Sequence, residues 1–313
     1  MDHTADITGR EAAVAVRDLR KSYSDVEAVR GVSFEVRRGE IFALLGPNGA
    51  GKTSVIEILE GYRPRTAGEA SVLGADPGRP TRRWRERIGL VLQESELDPN
   101  LTVRETVSLF AGFYPAPRPV AETIRLAGLD DVRDRRAGAL SGGQRRRLDV
   151  AVGIVGDPEL IFLDEPTTGF DPSARHAAWS TIAGLRELGK TILLTTHYMD
   201  EAQQLADRVA IMRAGELAAT GTLDQIGTQL SAAALVRFRV PEGVASAAIA
   251  TAAGAPVDVE HNLATIRASD PQEVLYRVLT WAEREHLALG SLEVRRPSLE
   301  DMFLELTAEG ATG

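Results

Sequence analysis

Eight residues, Gly46-Pro47-Asn48-Gly49-Ala50-Gly51-Lys52-Thr53, restrict this chain more than any other stretch. They match the pattern G-x-x-x-x-G-K-[ST] in full. The apolar run "IFALLG" precedes them, and a helical pattern follows to about Glu60. Strand, glycine-rich turn and helix, in that order, are the context this pattern needs. The glycines let the backbone curl so that successive amides point inward at phosphate oxygens. Lys52 then reaches the outer phosphates, and the Thr53 hydroxyl supplies a magnesium ligand. Only Lys21, Lys52 and Lys190 are lysine among 36 basic residues, so a lysine here is a rare choice.

The rest of the chain alternates. "VAVRDL" and "VSFEV" read as strands before the loop. After it come "IGLVLQ", a helical region from about Leu101 to Gly156 broken by "PAPRP", the strand "ELIFLD", the helix "PSARHAAWSTIAGLREL", the strand "TILLTT", the helix "MDEAQQLAD" and a strand pair in "RVAIMRAGELAATG". Such alternation predicts a mainly parallel sheet with helices on its faces. Near Ala232 the texture changes to the order β-α-β-β-α-β, with a hairpin turning at His261-Asn262, which is the order of a ferredoxin-like fold. "SLEDMFLEL" closes the chain as an amphipathic helix. The expected division is 12–228 and 232–313, with a helical subdomain at about 94–156.

Composition excludes several classes. With no cysteine there are no disulfides, thiolate metal sites or cysteine nucleophile. A net charge of −9 argues against a general nucleic-acid binder. No apolar run reaches the ~18 residues of a spanning helix. The start, "MDHTADITGREA", lacks a basic-then-apolar signal pattern, so retention in the cytosol is expected.

A second cluster of chemistry lies at "LIFLDEP". Two acids ending a buried strand are costly unless they have a task. Asp164 would hold magnesium through water, and Glu165 would act as general base on an attacking water. His197, after "TILLTT", stands level with the other strand ends, where it would contact the γ-phosphate. Asp171 and Pro172 start the helix that follows "PTTG". Further along, Ser141-Gly142-Gly143-Gln144 opens a helix, with Ser141 as cap and Gln144 reaching back. A cap alone does not call for two glycines, whereas a helix start made of bare amides holds an anion. The chain therefore carries two phosphate grips, one at Leu44–Ser54 and one at 141–144.

In ordered motifs the chain resembles the ATPase subunit of ABC (ATP-binding cassette) transporters over residues 14–225 or so. The resemblance rests on the loop at 46–53, Gln93 after a strand, "LSGGQ" at 140–144, Asp164-Glu165, "GFDP" with Asp171, and His197. Phe170 departs from the family's more usual leucine, an apolar exchange. The resemblance implies a P-loop NTPase with a RecA-like core, an antiparallel β subdomain and a helical subdomain, plus a small C-terminal α+β domain. It implies ATP and Mg2+ as cofactors, with Tyr23 stacked on adenine and Ser54 beside the phosphates. Gln93 joins Thr53 and Asp164 at the metal. It also implies two cassettes packed head to tail, each ATP lying between the loop of one and the signature of the other, so two grips serve two nucleotides. The second cassette comes from another chain, most simply a copy of this one. A separate polytopic permease places the subunit peripherally at the cytoplasmic side of the membrane, and no nucleic acid is expected as partner. "RRPSLEDMFLELT" resembles the tail of drug and lipid exporter ATPases of the daunorubicin-resistance type. The extra domain then serves dimerisation or regulation. Importer ATPases and soluble ABC ATPases acting on ribosomes or DNA are the alternatives.

Two stretches have bland expectations. Leu97, Leu101, Val103, Leu109, Phe110 and Phe113 are expected in the core, though their segment is the one that would touch the membrane partner. "RRWRER" (82–87) and "RRR" (145–147) are expected to be solvated.

Overall fold

The computed structural model describes residues 12–91, 96–229, 234–241 and 243–295. It divides into two units at Thr222/Leu223.

In the first unit, β1 (Ala12–Tyr23) and β2 (Val26–Arg37) pair antiparallel. Then follow β3 (Ile41–Leu45), α1 (Lys52–Leu59), β4 (Ala67–Val72), α2 (Arg82–Arg85), β5 (Ile88–Val91), α3 (Val103–Ala111), α4 (Val120–Leu126) and α5 (Gly142–Ile154). The unit ends with β6 (Leu160–Asp164), α6 (Pro172–Glu187), β7 (Thr191–Thr196), α7 (Met199–Leu205), β8 (Arg208–Arg213) and β9 (Glu216–Gly221). The main sheet has the order β5-β6-β7-β3-β8-β9; its first five strands are parallel and β9 runs against β8. Buried on both faces, its central strands are continuous apolar runs, as parallel sheets require. A separate antiparallel sheet, β2-β1-β4, carries Tyr23 at the end of β1. Strand β4 gave no signal in the sequence, because "AGEASV" has few apolar residues.

Register places the chemistry. Leu45 pairs with Thr196, and Asp164 pairs with Thr195. The loop after β3, the acids ending β6 and the histidine after β7 thus leave three adjacent strands at one level. That is the carboxyl edge at which open α/β sheets bind ligands.

Helices α3, α4 and α5 build their own core from Val103, Val107, Ile124, Leu129, Leu148 and Val155. Val103 belongs there as expected, and Leu97 and Phe110 pack against it. Leu109 and Phe113 do not: they are 53% and 64% exposed, with Phe113 edge-on to Phe110. Helix α3 needs only one face for so small a core; Leu109 lies on the other, and Phe113 follows the helix's end.

The second unit opens with α8 (Leu223–Gln229). Then come β10 (Ala234–Arg239), α9 (Ser246–Ala253), β11 (Val257–Glu260), β12 (Leu263–Ala268), α10 (Pro271–Arg284) and β13 (Gly290–Arg295). The sheet order is β11-β12-β10-β13, antiparallel throughout, over a core of Val236, Phe238, Ile249, Ile266 and Val278. His261 and Asn262 both take positive φ, 47° and 63°, as a two-residue hairpin with the right twist demands. The helix expected in "SLEDMFLEL" lies outside the described residues.

Candidate functional site

The loop at 46–53 is shaped by contacts that tolerate no side chain. A Cβ on Gly46 would meet the Met212 carbonyl at 2.5 Å, and one on Gly51 would meet the Ala28 carbonyl at 2.4 Å. Gly51 also takes φ 100°, which L residues avoid. The turn is thus fixed by β8 and β2 from behind. It opens into a cavity of about 440 Å³ lined by Ala28, Asn48, Gly49, Gly51, Lys52, Thr53, Ser54 and Glu165. Pro47 and Ala50 complete the turn through a bond from the Ala50 amide to the Pro47 carbonyl, 3.2 Å. Lys52 Nζ donates to the carbonyls of Gly46 (2.8 Å) and Pro47 (3.2 Å) and lies 3.7 Å from Glu165 Oε1. Burial pulls the Lys52 pKa down, while the carboxylates of Glu165 and Asp164 oppose that shift.

Asp164 and Glu165 are held by a residue that sequence reasoning passed over. Thr195 Oγ1 donates to Asp164 Oδ1, and the Glu165 amide donates to Thr195 Oγ1 at 3.0 Å. The signal was a pair of threonines, Thr195 and Thr196, ending a fully buried strand. Glu165 adopts φ 45°, a left-handed conformation that costs a non-glycine residue ~1–3 kcal/mol and recurs at functional sites. Its Oε2 accepts from Thr168 Oγ1 at 3.1 Å. His197 Nδ1 sits 3.3 Å from the same oxygen, within reach of its charge but without hydrogen-bond alignment. Burial pushes the Asp164 carboxyl up, the Thr195 bond pulls it down, and Glu165 adds to the rise. At the far end of α1, burial pushes Glu60 up to about 8, helped by Asp164 and Glu57.

Among the described residues, no group of three or more acids and histidines gathers into a metal centre. The cavity offers the hydroxyls of Thr53 and Ser54 and the carboxylate of Glu165, with Asp164 beside it at the end of β6. This hard, sparse oxygen set suits magnesium, which completes its shell from water and phosphates. Gln93 lies outside the described residues.

Tyr23 stands beside the loop, its hydroxyl 3.1 Å from Ser54 Oγ. Lys21 Nζ and the Arg63 guanidinium lie 4.9 and 5.2 Å from its ring centre. The ring thus lies within cation–π reach of two basic groups. Tyr23→Ala is expected to weaken ATP binding by ~1–3 kcal/mol through lost stacking. Tyr23→Phe should cost no more than the ~0.5–1.5 kcal/mol of one hydrogen bond. Titration of a fluorescent ATP analogue checks both; equal losses would point to the hydroxyl and against stacking.

The second grip is elsewhere. Ser141 and Gln144 form the expected reciprocal cap: Ser141 Oγ accepts from the Gln144 amide (3.2 Å), and Gln144 Oε1 accepts from the Ser141 amide (3.0 Å). A Cβ on Gly142 would meet nothing within 4 Å, and one on Gly143 only Ala174 Cβ at 3.5 Å. Among the described residues, no neighbour requires those glycines. They face a groove of about 750 Å³ lined also by Thr168, Gly169, Phe170 and Asp171. Asp171 Oδ1 caps α6 by accepting from the Ala174 amide at 2.8 Å. The two cavities share no lining residue. The structure therefore gathers Tyr23, the loop, Asp164, Glu165 and His197 at one place, and Ser141–Gln144 with Asp171 at another.

The run 145–147 is not a solvated face. Arg145 is exposed, but Arg146 is buried, and Arg147 donates to the Gly128 carbonyl at 2.9 Å. In 82–87, Arg82 is solvated, while Arg87 pairs with Glu159 and Trp84 is buried with Nε1 on the Val72 carbonyl.

A parallel sheet presenting a phosphate loop, two acids and a histidine on neighbouring strand ends defines a P-loop ATPase. The family described as ABC transporter matches residues 29–168, and a C-terminal domain of ABC transporter domain-containing proteins matches 234–298. The chain is 37% identical over 308 residues to the Nod factor export ATP-binding protein I of Ralstonia nicotianae, covering 96% of this chain and 95% of that one. It is 35% identical over 306 residues to a daunorubicin resistance ATP-binding protein of Streptomyces coeruleorubidus, covering 96% and 97%. An ATP-binding cassette solved as a dimer after hydrolysis, with ADP and phosphate bound, superposes with TM-score 0.61 at 25% identity, over 67% of this chain and 98% of that one. This chain belongs to the ATP-binding subunits of ABC transporters, of the exporter type, and is an ATPase.

Proposed function

We propose that the chain drives export of a drug or lipid-like molecule through a separate membrane subunit, by binding Mg-ATP at sites shared between two cassettes. The observation that carries this reading is the separation of the two grips: a complete phosphate loop in one cavity, and two structurally unneeded glycines at a helix start in another. In a head-to-tail pair, simplest as a homodimer, Gly46–Ser54 of one copy face Ser141–Gln144 of the other across one ATP. Lys52 neutralises the outer phosphates, and magnesium, held by Thr53 and Asp164 with Gln93, screens the rest. Glu165 takes the proton of the attacking water, and His197 donates to the γ-phosphate. Asp171 keeps α6 and the neighbouring signature turn in register. ATP binding closes the pair and hydrolysis reopens it.

No helix among the described residues is long and apolar enough to cross a membrane. The membrane step therefore belongs to a partner, with this subunit peripheral at the cytoplasmic face. Leu109 and Phe113, exposed on the helical subdomain, are apolar surface suited to that partner's helices. A tagged chain purified from solubilised membranes should bring down a polytopic membrane protein. Leu109→Asp with Phe113→Asp should abolish that recovery while ATP binding stays intact. Recovery of ribosomes or DNA instead would reverse the reading.

A further inference from the structure

Arg146 is 9% exposed, in the middle of a run that reads as surface. Its Nη2 donates to the carbonyl of Asp164 at 2.9 Å, and its Nε donates to the carbonyl of Pro166 at 3.2 Å. Those carbonyls belong to the two residues that flank Glu165. Here the chain leaves β6, and Glu165 itself takes a left-handed φ. Buried main-chain carbonyls need partners. One planar guanidinium, with five donors in a fixed fork, serves both at once, whereas an ammonium is a single point.

The buried cation is itself supported. Its Nη1 lies 3.8 Å from Asp149 Oδ2, one turn along the same helix. The network continues beyond it. Glu201 is fully buried, and its Oε1 accepts from Thr167 Oγ1 (2.8 Å) and from Trp179 Nε1 (3.1 Å). Thr167 follows Pro166, Trp179 is on α6, and Glu201 is on α7, one turn after His197. Three helices are thus fastened to the short segment that carries the base. Arg146 is the member from α5, whose first residues are the signature turn.

We propose that Arg146 is a positioning residue for Glu165, which it holds by both neighbouring carbonyls, and that it mechanically ties the signature turn gripping one nucleotide to the base acting on the other. The proposal rests on Glu165 being the base. Helix α5 is the rigid arm: Ser141–Gln144 at its start meet the partner's ATP, and Arg146, on the same first turns, grips the base segment. A shift of the turn on capturing that ATP is passed to Glu165 through two hydrogen bonds.

The test uses the purified full chain in four forms: Glu165→Gln, Arg146→Met, Arg146→Lys and the Glu165→Gln/Arg146→Met double variant. Arg146→Met is expected to lower kcat on the order of tenfold to a hundredfold, the loss that a misplaced catalytic group brings, with ATP affinity within about twofold. Arg146→Lys, keeping the charge but holding one carbonyl, should fall between Met and the parent. In the double variant the residual rate should equal that of Glu165→Gln alone, since a group that acts through the base has nothing left to position. A kcat within about twofold of the parent in Arg146→Met, or a double variant slowed by the full factor seen in the single, overturns the proposal. Loss of ATP affinity and thermal stability in both Arg146 variants, in step with the loss of rate, also overturns it, since that marks support of the fold alone. Normal turnover in Glu165→Gln fails the base assignment itself, and the Arg146 result then has no base to refer to and the proposal falls with it.

Discussion

Glu165→Gln is expected to lower steady-state ATP turnover by about two to four orders of magnitude while ATP still binds. The amide has the shape of the carboxylate and can still accept from Thr168 Oγ1, so the segment after β6 keeps its geometry. What it lacks is a lone pair basic enough to take a proton from water. The cradle does not depend on that charge. Lys52 is anchored by two carbonyls of its own loop and only faces Glu165 at 3.7 Å. Removing the negative charge beside Lys52 also reduces repulsion of the incoming γ-phosphate. ATP should then be held and not consumed, and a nucleotide-bound dimer should accumulate on gel filtration with radiolabelled ATP. ATPase activity near that of the parent would contradict the assignment of the base.

Much of this site was legible because its chemistry is local. The phosphate loop is a continuous stretch in which Gly46 and Gly51 are each required by a neighbouring carbonyl and Gly49 by its positive φ, and the signature turn announces itself through a cap spaced three residues apart. Asp171 before Pro172, and His261-Asn262 between two short strands, are equally local signals. What escaped lies where a polar residue turns inward. Arg146 sits in a helix buried on nearly every side, from Leu148 to Ile154, so no periodic stripe distinguishes its inner positions from its outer ones. An arginine run therefore read as surface. Thr195 was hidden by the opposite effect, an apolar strand in which a hydroxyl looks like tolerated β-branching. Leu109 lies off the buried face of α3, and Phe113 lies beyond the helix's end, so their apolar character alone read as core.

The central claim is that the two grips of one chain serve two nucleotides, and mixing two disabled chains tests it most directly. One chain carries Lys52→Ala, which empties the cradle of its cation. The other carries Ser141→Arg, which replaces the small cap and fills the approach to Gly142 and Gly143. Each alone forms pairs in which both composite sites are damaged, and neither should trap ATP. A mixed pair gathers both defects into one site and leaves the other whole, formed by the cradle of the Ser141→Arg chain and the signature of the Lys52→Ala chain. Occluded ATP is the quantity to measure, since turnover can require both sites. Heterodimers are verified by differential tags. Occluded ATP should reappear on mixing, at up to one per heterodimer. If verified heterodimers trap no more ATP than the two parents alone, each nucleotide is held within one chain, and the shared-site account is wrong.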